Sequence, residues 1–285
     1  MTEPTESAPS SAARRSGSAG GVKIFEATEI VKAFGGIKAV NGATMDVEQG
    51  SITALIGPNG AGKTTFFNLI TGFYRPDSGQ AVFDGREVQG QPPYTIARLG
   101  MVRTFQITKA LTAMPVIDNM LLAAPNQPGE RLRNIVFRPF GWRARERDVH
   151  EQAMELLDVF NLARLADEYA GTLSGGQRKL LELARALMAQ PRFLLLDEPM
   201  AGINPTLGKR LLDHMQRLRT EDGVTFLFIE HDMEVVMNHS DRVIVMAEGK
   251  VIADGEPHEI RSDQAVIDAY LGGGGGGGSK DGAGS

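Results

Sequence analysis

The residues with the clearest chemical meaning form a glycine-rich run, Gly57-Pro58-Asn59-Gly60-Ala61-Gly62-Lys63-Thr64, called here the phosphate loop. It fits the pattern G-x-x-x-x-G-K-[ST] and lies between a predicted strand, Ser51–Ile56, and a predicted helix, Thr65–Ile70. Glycines let backbone N–H groups face phosphates, and the helix N-terminus adds a favourable field. Lys63 is expected to reach the β- and γ-phosphates, and the Thr64 hydroxyl to ligate Mg²⁺. The loop and Thr65 are therefore predicted to bind a nucleoside triphosphate.

Two adjacent carboxylates end an apolar segment later in the chain. Phe193–Leu196 is apolar throughout, and Asp197 and Glu198 follow it. A strand of this kind delivers its last residues to the carboxyl edge of the sheet, where ligands bind in α/β folds. Asp197 can hold Mg²⁺, and Glu198 can polarise an attacking water. Alone, the pattern fits a solvated strand end, but in a chain with a phosphate loop it favours hydrolysis of the nucleotide.

A third segment, Ser174-Gly175-Gly176-Gln177, is called here the signature segment and opens a predicted helix. Ser174 is a natural N-cap, and the glycines leave the first-turn amides unobstructed. The helix continues through Arg178–Met188 with apolar residues on one face. These residues predict a second anion site, far from the first along the chain.

The elements that must position these motifs follow an alternating pattern. Short apolar stretches alternate with helical patterns, which is typical of an α/β fold with a largely parallel sheet. The predicted strands besides Ser51–Ile56 and Phe193–Leu196 are Ile24–Val31, Thr44–Val47, Gln80–Phe83, Met101–Phe105, Val224–Ile229, Val243–Met246 and Lys250–Ala253. About residues 106–176, helical patterns such as Val149–Phe160 predict a helical subdomain inserted into this core.

Composition narrows the class of protein. The chain has 285 residues, no cysteine, a formal net charge of −5 and a pI near 5.6. A dedicated nucleic-acid-binding protein would usually be basic, and a chain without cysteine has no disulfide or thiolate nucleophile. No apolar run approaches the roughly 18 residues of a membrane-spanning helix. We therefore expect a soluble chain that acts at a membrane only through a partner. We also expect three parts along the chain: a disordered tail (1–21), a folded unit (22–271) and a flexible glycine-rich tail (272–285).

The segment Leu173–Gln177 resembles the signature motif of the ABC ATPases, and the family's other motifs occur in order along the chain. The phosphate loop matches the Walker A motif, and Phe193–Glu198 matches the Walker B motif. By this resemblance, Phe34 stacks on adenine. Gln106 is the Q-loop glutamine and a ligand of Mg²⁺, and His231 is the switch histidine.

The resemblance implies a fold and a mechanism. The fold is a P-loop NTPase core with a mostly parallel sheet, an N-terminal antiparallel β part and an inserted helical subdomain. Two cassettes of this family pair head to tail, so that each ATP lies between the Walker A loop of one and the signature segment of the other. Glu198, His231 and Gln106 are the implied catalytic residues. Asn204, in the D-loop Ala201–Pro205, departs from the acidic residue that many relatives carry.

Other stretches resemble the larger ATP-binding subunit of branched-chain amino acid importers, among them Leu69–Tyr74, Val102–Gln106 and Ala265–Gly272. The implied ligands are ATP and Mg²⁺. The implied partners are two membrane permease subunits and a second cassette at the cytoplasmic face of the membrane, with a solute-binding protein acting indirectly and no nucleic acid.

Three questions stay open at the level of sequence. The first is the transported solute, because the cassette itself never touches it. Relatives in this group also import urea or amides, and an exporter of lipid or lipopolysaccharide is the other alternative. Leu111–Val116 is either a docking surface for a permease or part of the core. The arginine-rich stretch Pro125–Arg147 is either a solvated helix or a contact with a membrane partner.

Overall fold

The computed structural model describes residues 21–104, 111–125 and 141–272. Gln106 and most of both predicted tails lie outside these residues. The strands are β1 Lys23–Phe34, β2 Ile37–Glu48, β3 Ile52–Ile56, β4 Ser78–Phe83, β5 Arg86–Glu87, β6 Met101–Arg103, β7 Phe193–Asp197, β8 Thr225–Ile229, β9 Arg242–Ala247 and β10 Lys250–Gly255. The α-helices are α1 Lys63–Ile70, α2 Pro93–Arg98, α3 Val116–Leu121, α4 Gly141–Val159, α5 Gly175–Met188, α6 Pro205–Asp222, α7 Met233–His239, α8 Pro257–Ser262 and α9 Gln264–Gly272.

The larger sheet has six strands in the order β10-β9-β3-β8-β7-β6. Adjacent strands in this sheet are parallel, except that β10 pairs antiparallel with β9. All five residues of β3, β7 and β8 are buried, as their continuous apolar runs predict. Because these three strands run in the same direction, their carboxyl ends share one edge of the sheet. That edge holds the phosphate loop after β3, Asp197 at the end of β7, and His231 beyond β8.

The smaller sheet is antiparallel, in the order β2-β1-β4-β5. Its β1–β2 hairpin has two strands of 12 residues, longer than the predicted Ile24–Val31 and Thr44–Val47. Pairing continues to Phe34 and Ile37 at the tip, where most side chains are at least partly exposed. The backbone ladder extends beyond the apolar pattern, which is why the pattern predicts strands that are too short.

The two faces of the larger sheet pack against different elements. Leu194 and Phe226 belong to a cluster with apolar residues of α3, α4, α5 and α6. Leu195 and Leu227, one position further along each strand, belong to a second cluster with α1, β1, β2 and β4. The alternation of side chains along a strand therefore divides the core into two layers. The predicted α/β class with an antiparallel β part is confirmed.

The helices agree with the predicted patterns in type more than in extent. The predicted helix Thr65–Ile70 begins two residues earlier, at Lys63, and Val149–Phe160 overlaps the longer α4. The apolar face predicted for the signature helix is buried, as Leu180 and Leu181 show. Within the described ranges, no helix is both long and apolar enough to cross a lipid bilayer.

Candidate active site

The phosphate loop bends sharply between β3 and α1, with Gly57, Gly60 and Gly62 at φ angles of 145°, 79° and 97°. A Cβ atom on Gly57 would lie 2.0 Å from the carbonyl oxygen of Met246, and one on Gly62 would lie 2.3 Å from that of Ala39. Both positions therefore require glycine for packing as well as for backbone conformation. The loop is therefore packed closely between β9 and β2.

Lys63 folds back over the phosphate loop from the first position of α1. Its Nζ donates hydrogen bonds to the carbonyl oxygens of Gly57 (2.7 Å) and Pro58 (3.0 Å), and only 6% of the residue is exposed. Burial lowers the pKa of Lys63, and the nearby carboxylates of Glu198 and Asp197 oppose that shift. The ammonium is thus held at the loop by two carbonyl oxygens, which phosphate oxygens can replace.

Asp197 is 1% exposed and forms a buried ion pair that the sequence does not predict. Its Oδ2 accepts a hydrogen bond of 2.8 Å from Arg103, whose side chain is 5% exposed. Arg103 also donates to Oδ1 of Asn68 at 2.7 Å, and its guanidinium carbon lies 5.4 Å from the centre of the Phe67 ring. Burial lowers the pKa of Arg103, and the hydrogen bond to Asp197 opposes this. The pair joins β6 to β7 beside α1.

Glu198 and His231 come together at the ends of neighbouring strands. Nε2 of His231 lies 2.9 Å from Oε1 of Glu198, and the Glu198 amide donates to the carbonyl oxygen of Ile229 at 3.0 Å. Glu198 has φ 50°, an uncommon conformation for a residue with a side chain. Both side chains are partly exposed, at 22% for Glu198 and 44% for His231. The carboxylate is therefore open to water while the imidazole orients it, as a general base requires.

Asp197 and Thr64 fit a magnesium ion. Oδ1 of Asp197 is buried without a hydrogen-bond partner among the described residues, and Thr64 is exposed in the first turn of α1. Mg²⁺ in nucleotide sites is held by one or two protein oxygens, with waters and substrate phosphates completing its shell. Among the described residues, no three or more His, Asp or Glu side chains form a group that could hold a metal ion.

The signature segment forms a reciprocal cap at the start of α5. The amide of Gln177 donates to Oγ of Ser174 at 3.3 Å, and the amide of Ser174 donates to Oε1 of Gln177 at 2.9 Å. Ser174 is thus the N-cap that the sequence predicts. The Gln177 amide and Oε1 are already engaged in the cap, whereas Ser174 and Gly175 are exposed. A role of these residues in nucleotide binding stays a prediction.

Phe34 lies at the tip of the β1–β2 hairpin, and 45% of it is exposed. Its ring contacts Tyr74 edge to face with 5.4 Å between the centroids, and Nζ of Lys32 lies 5.7 Å from the Phe34 centroid. The same hairpin supplies Ala39, the close neighbour of Gly62 in the phosphate loop. An exposed aromatic pair therefore lies on the element that borders the loop, and stacking of Phe34 on adenine stays a prediction.

Asn204 has a local role at the start of α6. Its Oδ1 accepts a hydrogen bond of 2.9 Å from the amide of Leu207, and Pro205 occupies the first turn. Asparagine and aspartate cap helices about equally well. The replacement of an acidic residue at this position therefore keeps the start of α6 intact.

The C-terminal helix α9 reaches the phosphate loop through Tyr270. Burial raises the pKa of the Tyr270 phenol, and a hydrogen bond with the backbone of Gly57 opposes the rise. Tyr270 and Arg103 lie in stretches that carry the family resemblance, but the sequence assigns neither a role, because each meets its partner only through the fold. The signal that could have found Arg103 is its charge within the predicted strand Met101–Phe105, where a buried charge demands a partner.

Comparison with known families identifies the family to which the chain belongs. The family model described as "ABC transporter" matches residues 40–201, more than half of the chain. The chain belongs to the ABC transporter ATP-binding cassette family. A second model, described as "Branched-chain amino acid ATP-binding cassette transporter", matches residues 250–275 of the cassette, which contain α9 and Tyr270. The predicted family is confirmed, and membership makes the cassette an ATPase of a transporter.

Curated relatives match the cassette over nearly their whole length. The "Probable branched-chain amino acid transport ATP-binding protein LivG" of Archaeoglobus fulgidus is 44% identical over 88% of this chain and 96% of that protein. The "High-affinity branched-chain amino acid transport ATP-binding protein BraF" of Pseudomonas aeruginosa is 44% identical over 87% and 98%. The corresponding LivG protein of Escherichia coli is 40% identical over 87% and 98%.

Solved structures agree with the fold. A nucleotide-free ATP-binding cassette from an ABC transporter superposes with a TM-score of 0.73 at 38% identity, covering 87% of this chain and 99% of that chain. An ADP conformation of an ABC transporter cassette superposes with a TM-score of 0.73 at 37% identity, covering 88% and 99%.

Proposed function

We propose that the cassette is the ATP-hydrolysing subunit of an importer of branched-chain amino acids. The observation that carries the proposal is the match of α9 and its surroundings to a family model named for branched-chain amino acid transport, together with relatives of that name at 40–44% identity. This match extends beyond the motifs that cassettes share, so it supports the importer over the lipid or lipopolysaccharide exporter.

The residues at the sheet edge would divide the work of ATP hydrolysis. Lys63 exchanges its two carbonyl partners for oxygens of the β- and γ-phosphates, and Phe34 offers an exposed face to the adenine. Thr64 and Oδ1 of Asp197 would hold Mg²⁺, which neutralises phosphate charge. Glu198 accepts a proton from the attacking water, and His231 keeps the carboxylate oriented through its 2.9 Å contact.

A second cassette would complete each ATP site. Ser174 and Gly175 are exposed at the N-terminal end of α5, where a partner's nucleotide can approach the start of the helix. Head-to-tail pairing supplies that contact, so a lone cassette would bind ATP and hydrolyse it poorly. The partner cassette can be a second copy or a paralogue.

Two permease subunits would carry the solute across the membrane, and the cassette would dock on them at its cytoplasmic face. Within Leu111–Val116, the structure exposes 42% of Leu111, half-buries Met114 and buries Val116 completely. The segment thus combines a core end with an exposed end, and we propose the exposed end as the docking surface. Gln106 and most of the stretch Pro125–Arg147 lie outside the described residues.

Reconstitution tests the proposed substrate. The cassette, a partner cassette and two permease subunits from the same organism are reconstituted together in liposomes with a solute-binding protein from that organism. We expect leucine, isoleucine or valine to stimulate ATP hydrolysis and to accumulate with ATP. Stimulation by urea or amides alone would reassign the substrate, and ATP-driven movement of lipid in the opposite direction would make the complex an exporter.

A further inference from the structure

The loop that follows Asp197 is held in an unusual backbone conformation. It begins with Glu198 at φ 50° and contains Gly202 at φ 74°. Within the loop, the Ala201 amide donates to the carbonyl oxygen of Glu198 at 3.2 Å, and the Ile203 amide donates to that of Met200 at 3.2 Å. These local turns leave the loop's position to be set by contacts with other elements.

One such contact comes from Lys179, the second residue after the signature segment in α5. Its Nζ donates hydrogen bonds to the carbonyl oxygens of Glu198 and Ala201, the latter at 2.8 Å. Burial lowers the pKa of Lys179, and the carboxylate of Glu230 leads the groups that oppose this. The Lys179 ammonium therefore binds the backbone of the loop after Asp197.

The second contact comes from Glu230, the residue before His231. It is 4% exposed, and its Oε1 accepts a hydrogen bond of 2.7 Å from the amide of Met200. Its Oε2 accepts one of 3.2 Å from the amide of His231. Burial raises the pKa of Glu230, and these amides and Lys179 oppose the rise. One carboxylate thus ties the loop after Glu198 to the residue that orients Glu198.

The start of α5 also approaches the loop closely. A Cβ atom on Gly176 would lie 3.3 Å from the carbonyl oxygen of Gly202. The signature segment and the D-loop of one cassette are therefore adjacent, independently of the lysine. A side chain at Gly176 would press on the loop that Lys179 holds.

We propose that Lys179 and Glu230 form a two-sided clamp that positions Glu198 for hydrolysis and couples it to the signature helix of the same chain. The Lys179 ammonium binds the loop through two carbonyl oxygens, and the Glu230 carboxylate binds it through the Met200 amide. Both residues are positioning residues, because neither is placed against the nucleotide. With head-to-tail pairing, which belongs to the proposed function, the signature segment serves one ATP and Glu198 serves the other. The clamp then links the two sites through one chain.

The test replaces Lys179 by methionine, which keeps the length of the side chain and removes its charge. We expect Lys179→Met to lower kcat for ATP by about tenfold to a hundredfold, while the Kd for a fluorescent ATP analogue changes by less than about threefold. Hydrogen exchange at the amides of Met200 and Ala201 should become faster. Lys179→Arg should recover most of the activity, since it restores a cationic donor.

Lys209→Met is the matched control, because it removes the same charge from an exposed position on the neighbouring helix α6. It should leave kcat, Kd and amide exchange at the parental values. The second arm adds Glu230→Gln to Lys179→Met. This restores charge balance and should recover thermal stability, but kcat should stay low, because the two carbonyl oxygens still lack their donor.

Two results would overturn the clamp. One is parental kcat in Lys179→Met, and the other is loss of kcat with unchanged exchange at the loop. If Lys179→Met does not fold, Lys179→Leu, which also has no donor, is measured in its place by the same criteria. Failure of the proposed transport function has a different signature, because basal ATPase activity and its response to Lys179→Met do not depend on which solute is carried.

Discussion

Replacing Arg103 by methionine probes the buried ion pair that secures Asp197. Methionine keeps much of the packing of the arginine stem against Phe67 but leaves Asp197, 1% exposed, without its cation. Removing one partner of a buried ion pair costs about 3–5 kcal/mol, because the remaining charge stays desolvated and uncompensated. That is a large share of the roughly 5–15 kcal/mol by which a domain is stable. We therefore expect Arg103→Met to be among the most destabilising substitutions at this edge of the sheet.

Urea denaturation gives the measurement. With a slope of about 3 kcal/mol per molar urea for a chain of this size, the midpoint should fall by about 1–1.7 M. Arg192→Met is the matched control, because Arg192 pairs with Asp84 at 3.0 Å while both side chains are about half exposed. Water replaces most of what that pair contributes, so its midpoint should change far less.

A double variant separates lost charge pairing from lost packing. Adding Asp197→Asn to Arg103→Met removes the uncompensated carboxylate. The double variant should therefore recover part of the urea midpoint lost in Arg103→Met, although each change alone lowers the midpoint. Equal midpoints for Arg103→Met and Arg192→Met would refute the reasoning. So would a double variant whose loss is the sum of the two single losses.

Three further predictions concern the nucleotide and the partners. Lys63→Ala should abolish ATP hydrolysis while leaving the circular dichroism spectrum unchanged. ATP hydrolysis at the parental rate would contradict the assignment of the phosphate loop as the ATP-binding site. Glu198→Gln keeps the size of the side chain but removes the base, so ATP-dependent dimers should accumulate on a sizing column; hydrolysis at the parental rate would place the base elsewhere, with His231 the next candidate. Leu111→Glu should spare ATP binding, because Leu111 is 42% exposed, but should reduce co-purification with the permeases. Undiminished assembly would place the docking surface outside this segment.

The sequence by itself determines the chemistry-bearing segments and the order of the core strands along the chain. The phosphate loop, Asp197 with Glu198, and the signature segment are contiguous motifs, so their residue types and spacing are visible without a fold. Buried parallel strands are equally visible, because being covered on both faces requires an unbroken apolar run, as in Phe193–Leu196. The cap formed by Ser174 is local too, and the structure contains it as predicted.

Only the tertiary structure decides which distant residues meet. The β1–β2 hairpin extends past its apolar pattern because backbone pairing needs no particular side chains. Arg103 reaches Asp197 across 94 positions of sequence, and Tyr270 reaches Gly57 from the C-terminal helix. Lys179 contacts a loop that begins 19 positions away. A buried charge needs a partner, but its position in the sequence does not say which one, since strand order and helix packing bring the partners together.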